Sequence, residues 1–391
     1  MANDLTVTQI ASIVNSIMDE VTGVDSDLTQ VNTATFVSVA QTALKTGYDP
    51  LAVGLSVVMT NTIMSVRPYN RKFRGLMRSE EEWGNHTRKI QFVDQPATDN
   101  GAYKLVNGQS VDMYKVNLEK VLQTNFYGQE TFDFYQTFTR NQLKSAMRSP
   151  TELARYYAAK MMHIANQREQ RLENLNRFTI NNLIAGKVEA DSTNVLHLVT
   201  MYNTEKGTSL TSDTVRENAN WGNFSRWMYG KLETLASMLT ERSQLYHLNI
   251  NDYPIKRHTP YTDLTMYMIA DFENAVNAEV LSQTYHDSYL RFADHEKINF
   301  WQNPNEPYNI DVFASYTGKD GALHQSKEGG TQVSHVVGIM MDREAAGSTI
   351  FDEHSNVTPN NAFGDYYNQA WKGVYRFWND LTENCLVLCL D

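Results

Sequence analysis

Cysteine is almost absent from this 391-residue chain, which has only Cys385 and Cys389. Two thiols exclude the disulfide framework that staples small secreted proteins. In one strand, residues four apart have Cα atoms about 13 Å apart, and a bridge tolerates roughly 7 Å at most. Both cysteines are therefore expected in the core. Positive charge is also in deficit: 34 Lys and Arg stand against 45 Asp and Glu, a net charge of -11. That balance disfavours reading nucleic acid or coating an anionic membrane. Long hydrophobic runs are missing too. The most apolar stretch, 51–66, carries Ser56, Thr60, Asn61 and Thr62; it is short and polar for a bilayer span and is expected as a buried helix. Met1-Ala2-Asn3-Asp4 has neither the basic start nor the apolar core of a secretion signal. These features point to assembly in a reducing cytoplasm. The Asn-x-Ser/Thr triplets at Asn85, Asn223 and Asn356 then imply no glycosylation.

Catalytic signatures are lacking as well. The chain has no G-x-S-x-G elbow, phosphate loop, G-x-G-x-x-G fingerprint or H-E-x-x-H. Gly318-Lys319-Asp320 has neither the upstream glycine nor the following hydroxyl of a phosphate loop and reads as a turn. His286-Asp287, Asp294-His295-Glu296 and Asp352-Glu353-His354 bring potential ligands together. Adjacent residues in a strand point to opposite faces, so no metal, cofactor or catalytic residue is assigned.

What the chain does have is a core's worth of apolar residues, 41%, enough for two or three domains. Its clearest element runs from Ser149 to Gly186. Ser149, Pro150 and Glu152 mark a helix start. Leu153, Tyr157, Met161, Ile164, Leu172, Leu175 and Leu183 form one apolar stripe, with Arg155, Lys160, Glu169, Arg171, Glu173 and Arg177 among the polar remainder. Gly186 is the expected left-handed cap, giving a helix over 150–185, roughly 54 Å long. So long a helix is either a structural beam or a long surface helix.

Shorter helices are expected over 5–21, 35–45 and 221–243, with another capped by Asp271. Strands are expected over 89–93, 114–126, 195–200, 264–269, 333–341, 348–352, 366–378 and 385–390, and a loop over 203–220. Between 67 and 127 the chain makes a two-stranded excursion with a charged shoulder: Arg67, Arg71, Lys72, Arg74 and Arg78, then Glu80, Glu81, Glu82 and Trp83. A lone hairpin is marginal in water, so it should lie on its own domain or on another subunit. The shoulder reads equally as a solvated charge run or as an intersubunit ion-pair surface. With Arg155, Arg168 and Arg171 of the helix, these residues are the candidate subunit interface. The 21 Tyr, 16 Phe and 6 Trp suit large intersubunit contacts better than a sugar- or base-stacking surface, because no basic groove accompanies them.

The tail carries a resemblance. Met341-Asp342-Arg343-Glu344-Ala345-Ala346-Gly347, Thr358-Pro359-Asn360, Tyr366-Tyr367-Asn368-Gln369-Ala370-Trp371 and Tyr375 through Asn384 resemble the C-terminal end of tailed-bacteriophage major capsid proteins. The resemblance implies an α+β fold of the Hong Kong phage type. Its parts would be an N-terminal arm (1–66), an extended β-hairpin loop (67–128), a peripheral domain with the spine helix (129–190 and 336–391) and an axial α/β domain (191–335). It implies no active site. The expected function is self-assembly as pentamers and hexamers into an icosahedral shell around double-stranded DNA, without sequence-specific binding. Expected partners are a separate scaffold protein, portal and decoration proteins; no cofactor and no membrane are implied. The alternatives are an encapsulin-like nanocompartment shell, and an aromatic-lined hydrolase or carbohydrate-binding protein.

Overall fold

The computed structural model describes residues 69, 71–78, 87–95, 97, 101–104, 106–108, 112–142, 150–251, 253–281 and 295–391. The helices expected over 5–21, 35–45 and 51–66 lie outside these residues. So do Arg67, Glu80, Glu81, Glu82, Trp83 and the His286-Asp287 pair.

In chain order, β1 (Thr87–Phe92) and β2 (Val121–Phe126) form an antiparallel ribbon with Thr87 opposite Phe126. The expected excursion is therefore present. Its returning strand is shorter than the 114–126 alternation predicted, since 114–120 is irregular and exposed. β3 (Gln129–Thr139) follows, a strand the sequence reading did not anticipate. Then comes α1 (Pro150–Ala190), 41 residues and about 60 Å long at 1.5 Å per residue.

α1 runs through Gly186 instead of ending there. Gly186 is needed for close approach: a Cβ at this position would stand 3.0 Å from the Tyr316 Cβ and 3.5 Å from Leu381. Ile164, Leu172, Leu175 and Leu183 of the predicted stripe are buried. Glu169 and Arg177, which the pattern left in the polar remainder, are buried as well, because the chain packs against α1 on more than one side.

β4 (Val195–His197) gives way to α2 (Leu198–Lys206), so part of an expected strand and loop is helical. The helix is closed by Gly207 at φ 68, a left-handed cap that suits glycine. α3 (Asn218–Thr240) and β5 (Leu264–Ile269) match their expected positions. α4 (Ala270–Leu281) begins one residue before Asp271. Asp271 therefore lies in the first turn, where its carboxylate accepts the Tyr308 hydroxyl at 2.9 Å rather than capping.

The chain continues through β6 (His295–Ile298), β7 (Ile310–Val312), β8 (Ser315–Thr317), β9 (Leu323–Gln325) and β10 (Thr331–Val333). It ends with β11 (Val336–Asp342), β12 (Ala346–Val357), β13 (Tyr366–Asn379) and β14 (Cys385–Cys389). The predicted strand over 333–341 is thus split between β10 and β11.

Two sheets organise the core. The first has the order β4-β14-β11-β5-β6. Its central strands β11 and β14 are buried at every residue, as their unbroken apolar runs require. Cys385 and Cys389 lie here, as expected, and burial pushes both thiols up to about 12. The second sheet, β12-β13-β3, is antiparallel. β13 alternates buried and half-buried positions along most of its length, the period of a sheet with one covered face. That cover is α1: Leu172 and Leu175 pack with Tyr375, Phe132, Ile350 and Phe377.

Candidate assembly surfaces

Residues 69 and 71–78 lie against α1, held by an acidic ladder. Glu169 and Glu173 are four residues apart and so project from one face of the helix. Glu169 receives the Arg71 guanidinium at 2.7 and 2.8 Å. Glu173 accepts the Tyr69 hydroxyl at 2.9 Å and the Lys72 amide at 3.2 Å. Burial opposes the charge of Glu173, but Arg177 and these donors outweigh it and hold its carboxyl below the ordinary value.

Phe73 is fully buried and takes a left-handed backbone, φ 58. Both carboxylate oxygens of Glu296 accept its amide at 2.9 Å, which fixes this unfavourable conformation. Burial pushes the Glu296 carboxyl up against the pull of that amide. Asn176 completes the seat, donating to the Phe73 carbonyl at 3.2 Å and accepting the Ser348 hydroxyl at 2.6 Å.

The excursion is rooted on the body by charge. Lys89 pairs with Asp380 at 2.9 Å, with Glu383, and with Glu344 at 3.2 Å. Burial disfavours the Lys89 charge, but Asp380 and Glu383 raise its pKa well above the usual value. Beyond β1, Asp94 pairs with Arg242 and accepts the Lys256 amide at 2.7 Å. Past this root the character changes: Tyr103, Met113, Tyr114, Val116 and Leu118 are each 76% exposed or more. These five large apolar side chains lie bare to solvent in the subunit.

Of the predicted interface residues, Arg71, Lys72, Arg78, Arg168 and Arg171 make contacts within the chain. Arg71 meets Glu169, and Arg168 forms a two-point pair with Glu353 at 2.7 Å for both bonds. Arg171 pairs with Glu130 and lies over the Phe132 ring. Arg78 donates to the Gly75 carbonyl at 3.3 Å. Lys72 contributes its backbone amide to Glu173, and Arg74 opens the short turn Arg74–Leu76. Arg155 belongs to α1.

The acceptors Glu173, Glu296, Glu353, Asp380 and Glu383, and the cation Lys89, are not among the interface residues expected from the sequence. The i, i+4 spacing of Glu169, Glu173 and Arg177 was a usable signal. The remaining partners lie a hundred or more residues away in sequence and left none.

The histidine clusters disperse as strand geometry requires. His295 faces Glu273 at 3.2 Å while Glu296 turns to Phe73. His354 meets Asp352 at 2.7 Å while Glu353 turns to Arg168. Among the described residues no group of three or more His, Cys, Asp or Glu side chains is placed to hold a metal ion, and no helix is long and apolar enough to cross a membrane.

A long helix laid across an antiparallel sheet, a second five-stranded sheet and a projecting ribbon together make a phage capsid fold of the Hong Kong type. The capsid structure of Staphylococcus phage Andhra matches it with a TM-score of 0.54 and 9% identity, covering 82% of this chain and 84% of that one. A chain in the structure of head fiber and inner core protein gp22 of native bacteriophage P68 matches with a TM-score of 0.52 and 9% identity, covering 82% and 85%. At that identity the likeness is one of fold.

The sequence is more specific. The family model of the Phi29-like phage major capsid protein matches residues 10–389, and the chain belongs to that family. A search of curated proteins finds no match. The chain is accordingly a structural protein of a bacteriophage virion, one that builds the capsid shell by self-assembly.

Proposed function

We propose that this chain forms pentamers and hexamers that close into an icosahedral shell around double-stranded DNA. The observation that carries the proposal is the apolar face of the excursion, where Tyr114, Val116 and Leu118 project from a root locked to the body by Lys89. An isolated subunit gains nothing by exposing that face, whereas a neighbour covering it removes the apolar surface from water. Many such modest contacts add up by multivalency once a ring closes.

In this reading, 1–66 is the arm, 67–128 the extended loop, 129–190 with 336–391 the peripheral domain, and 191–335 the axial domain. Arg67, Arg74, Arg78, Glu80, Glu81, Glu82, Trp83 and Arg155 face neighbouring subunits. Arg71, Lys72, Arg168 and Arg171 shape the same surface through the contacts they make at home. The net charge of -11 lets a DNA genome be packed without sticking to the wall. A separate scaffold protein, a portal and decoration proteins complete a shell that assembles in the host cytoplasm.

Sedimentation of the purified chain across a concentration series tests the central claim. Large closed particles are expected above a threshold concentration, and a monomer at every concentration would reject it. Electron microscopy after nuclease treatment of particles from infected cells tests the cargo. Protected DNA supports the phage shell, and an enclosed protein cargo would favour a nanocompartment instead.

A further inference from the structure

An open cavity of about 750 Å³ lies beside the root of the excursion, walled by residues 256–263, by 342–344 at the end of β11, and by Arg78. Five permanent cations and four carboxylates line it, but most of them are already engaged. Arg242 is taken by Asp94, and Arg257 by Glu383 at 3.2 Å. Glu344 and Glu383 are taken by Lys89. Asp342 accepts the Thr259 hydroxyl and the Glu344 amide, each at 2.7 Å.

The cations left over are Arg78, Lys256 and Arg343, against the single carboxylate of Asp263. The Nη2 of Arg78 is buried and has no hydrogen-bond partner among the described residues. Burial, reinforced by the neighbouring charge of Arg343, pulls the Arg78 guanidinium below its ordinary value. A buried donor with no acceptor, facing another cation across a cavity, is costly unless an anion enters.

We propose that this cleft receives carboxylate side chains from a second copy of the chain in the assembled shell, an inference that rests on the reading under Proposed function. Carboxylates suit it better than nucleic-acid phosphates because a recess admits the tip of a single side chain, whereas a nucleic-acid backbone presents its phosphates along a continuous strand. Guanidinium groups hold such a carboxylate through paired, charge-assisted hydrogen bonds. With 45 Asp and Glu in each copy, a neighbour has carboxylates to present.

Zero-length carbodiimide crosslinking, which joins an amine only to a carboxylate in contact, tests the proposal on particles assembled from mixed isotopically light and heavy chains. The expected product is Lys256 joined to an Asp or Glu of a differently labelled chain. Lys256→Arg should assemble normally and lose that crosslink, and Arg343→Glu should weaken assembly. Crosslinks from Lys256 confined to its own chain would overturn the proposal. So would Arg343→Glu particles that form normally but lose their DNA. Failure of the unaltered chain to assemble at all would instead reject the shell reading on which this one rests, and is seen before any crosslinker is added.

Discussion

Glu383 shows how a single buried group can make the root of the excursion sensitive to pH. Burial pushes its carboxyl up to about 7, against the pull of Lys89 and Arg257. Asp380 in the same cluster goes the other way: burial opposes its ionisation, but Lys89 and the Thr382 hydroxyl and amide outweigh it. In the folded chain Glu383 binds its proton more tightly than at its ordinary value of 4.5. Its contribution to stability is therefore complete below pH 4.5 and is lost as the pH rises through about 7. Glu383→Gln should flatten that part of the profile of melting temperature against pH; an unchanged slope would exclude this role. Gly186 offers a second test. Its place after a long apolar stripe predicts a helix end, because glycine so often occupies that position. Its actual reason is the approach of Tyr316 and Leu381, which lie 130 and 195 residues further along the chain. Gly186→Leu should destabilise the subunit by about 1 to 3 kcal/mol in chemical denaturation, since overpacking outweighs the better helix propensity.

At the scale of elements, α1 carries the architecture, and its length was readable because its apolar stripe continues turn after turn. Ala165 is buried within it. Ala165→Pro removes one backbone hydrogen bond and sets a ring against the preceding turn, at a cost of about 3 kcal/mol or more. Circular dichroism melts should show the loss, and sedimentation should show no particles; normal particles would mean the helix is not the beam of the shell. β3 was not readable in the same way. Phe132, Phe134 and Phe138 alternate there, yet Tyr135 breaks the pattern by being aromatic and exposed. What makes this segment a strand is its pairing along β13, with Glu130 opposite Tyr375 and Phe138 opposite Tyr367. The strands of the tail were readable because β11 and β14 are continuous apolar runs, the mark of strands covered on both faces.

For the whole molecule, the contrast is between a body with a buried core and an excursion that carries bare apolar side chains. Replacing Tyr114, Val116 and Leu118 together by Ser should leave the melting temperature of the unassembled subunit within about 2 °C, because exposed side chains contribute little to its folding. The same variant should fail to form particles in sedimentation. A large fall in melting temperature would show that these residues pack at home rather than on a neighbour.

Periodicity, turn residues and charge counts act over a few residues or over the entire composition. The sequence by itself therefore determined the long helix, the buried terminal strands, the reduced core cysteines and the presence of a two-stranded excursion. Tertiary structure alone decided which partner each charged side chain meets. Arg71 with Glu169, Phe73 with Glu296, Lys89 with Asp380 and Arg168 with Glu353 are joined across 98, 223, 291 and 185 residues. A carboxylate's partner is set by the folded path that brings a cation to it, and no local pattern records that path.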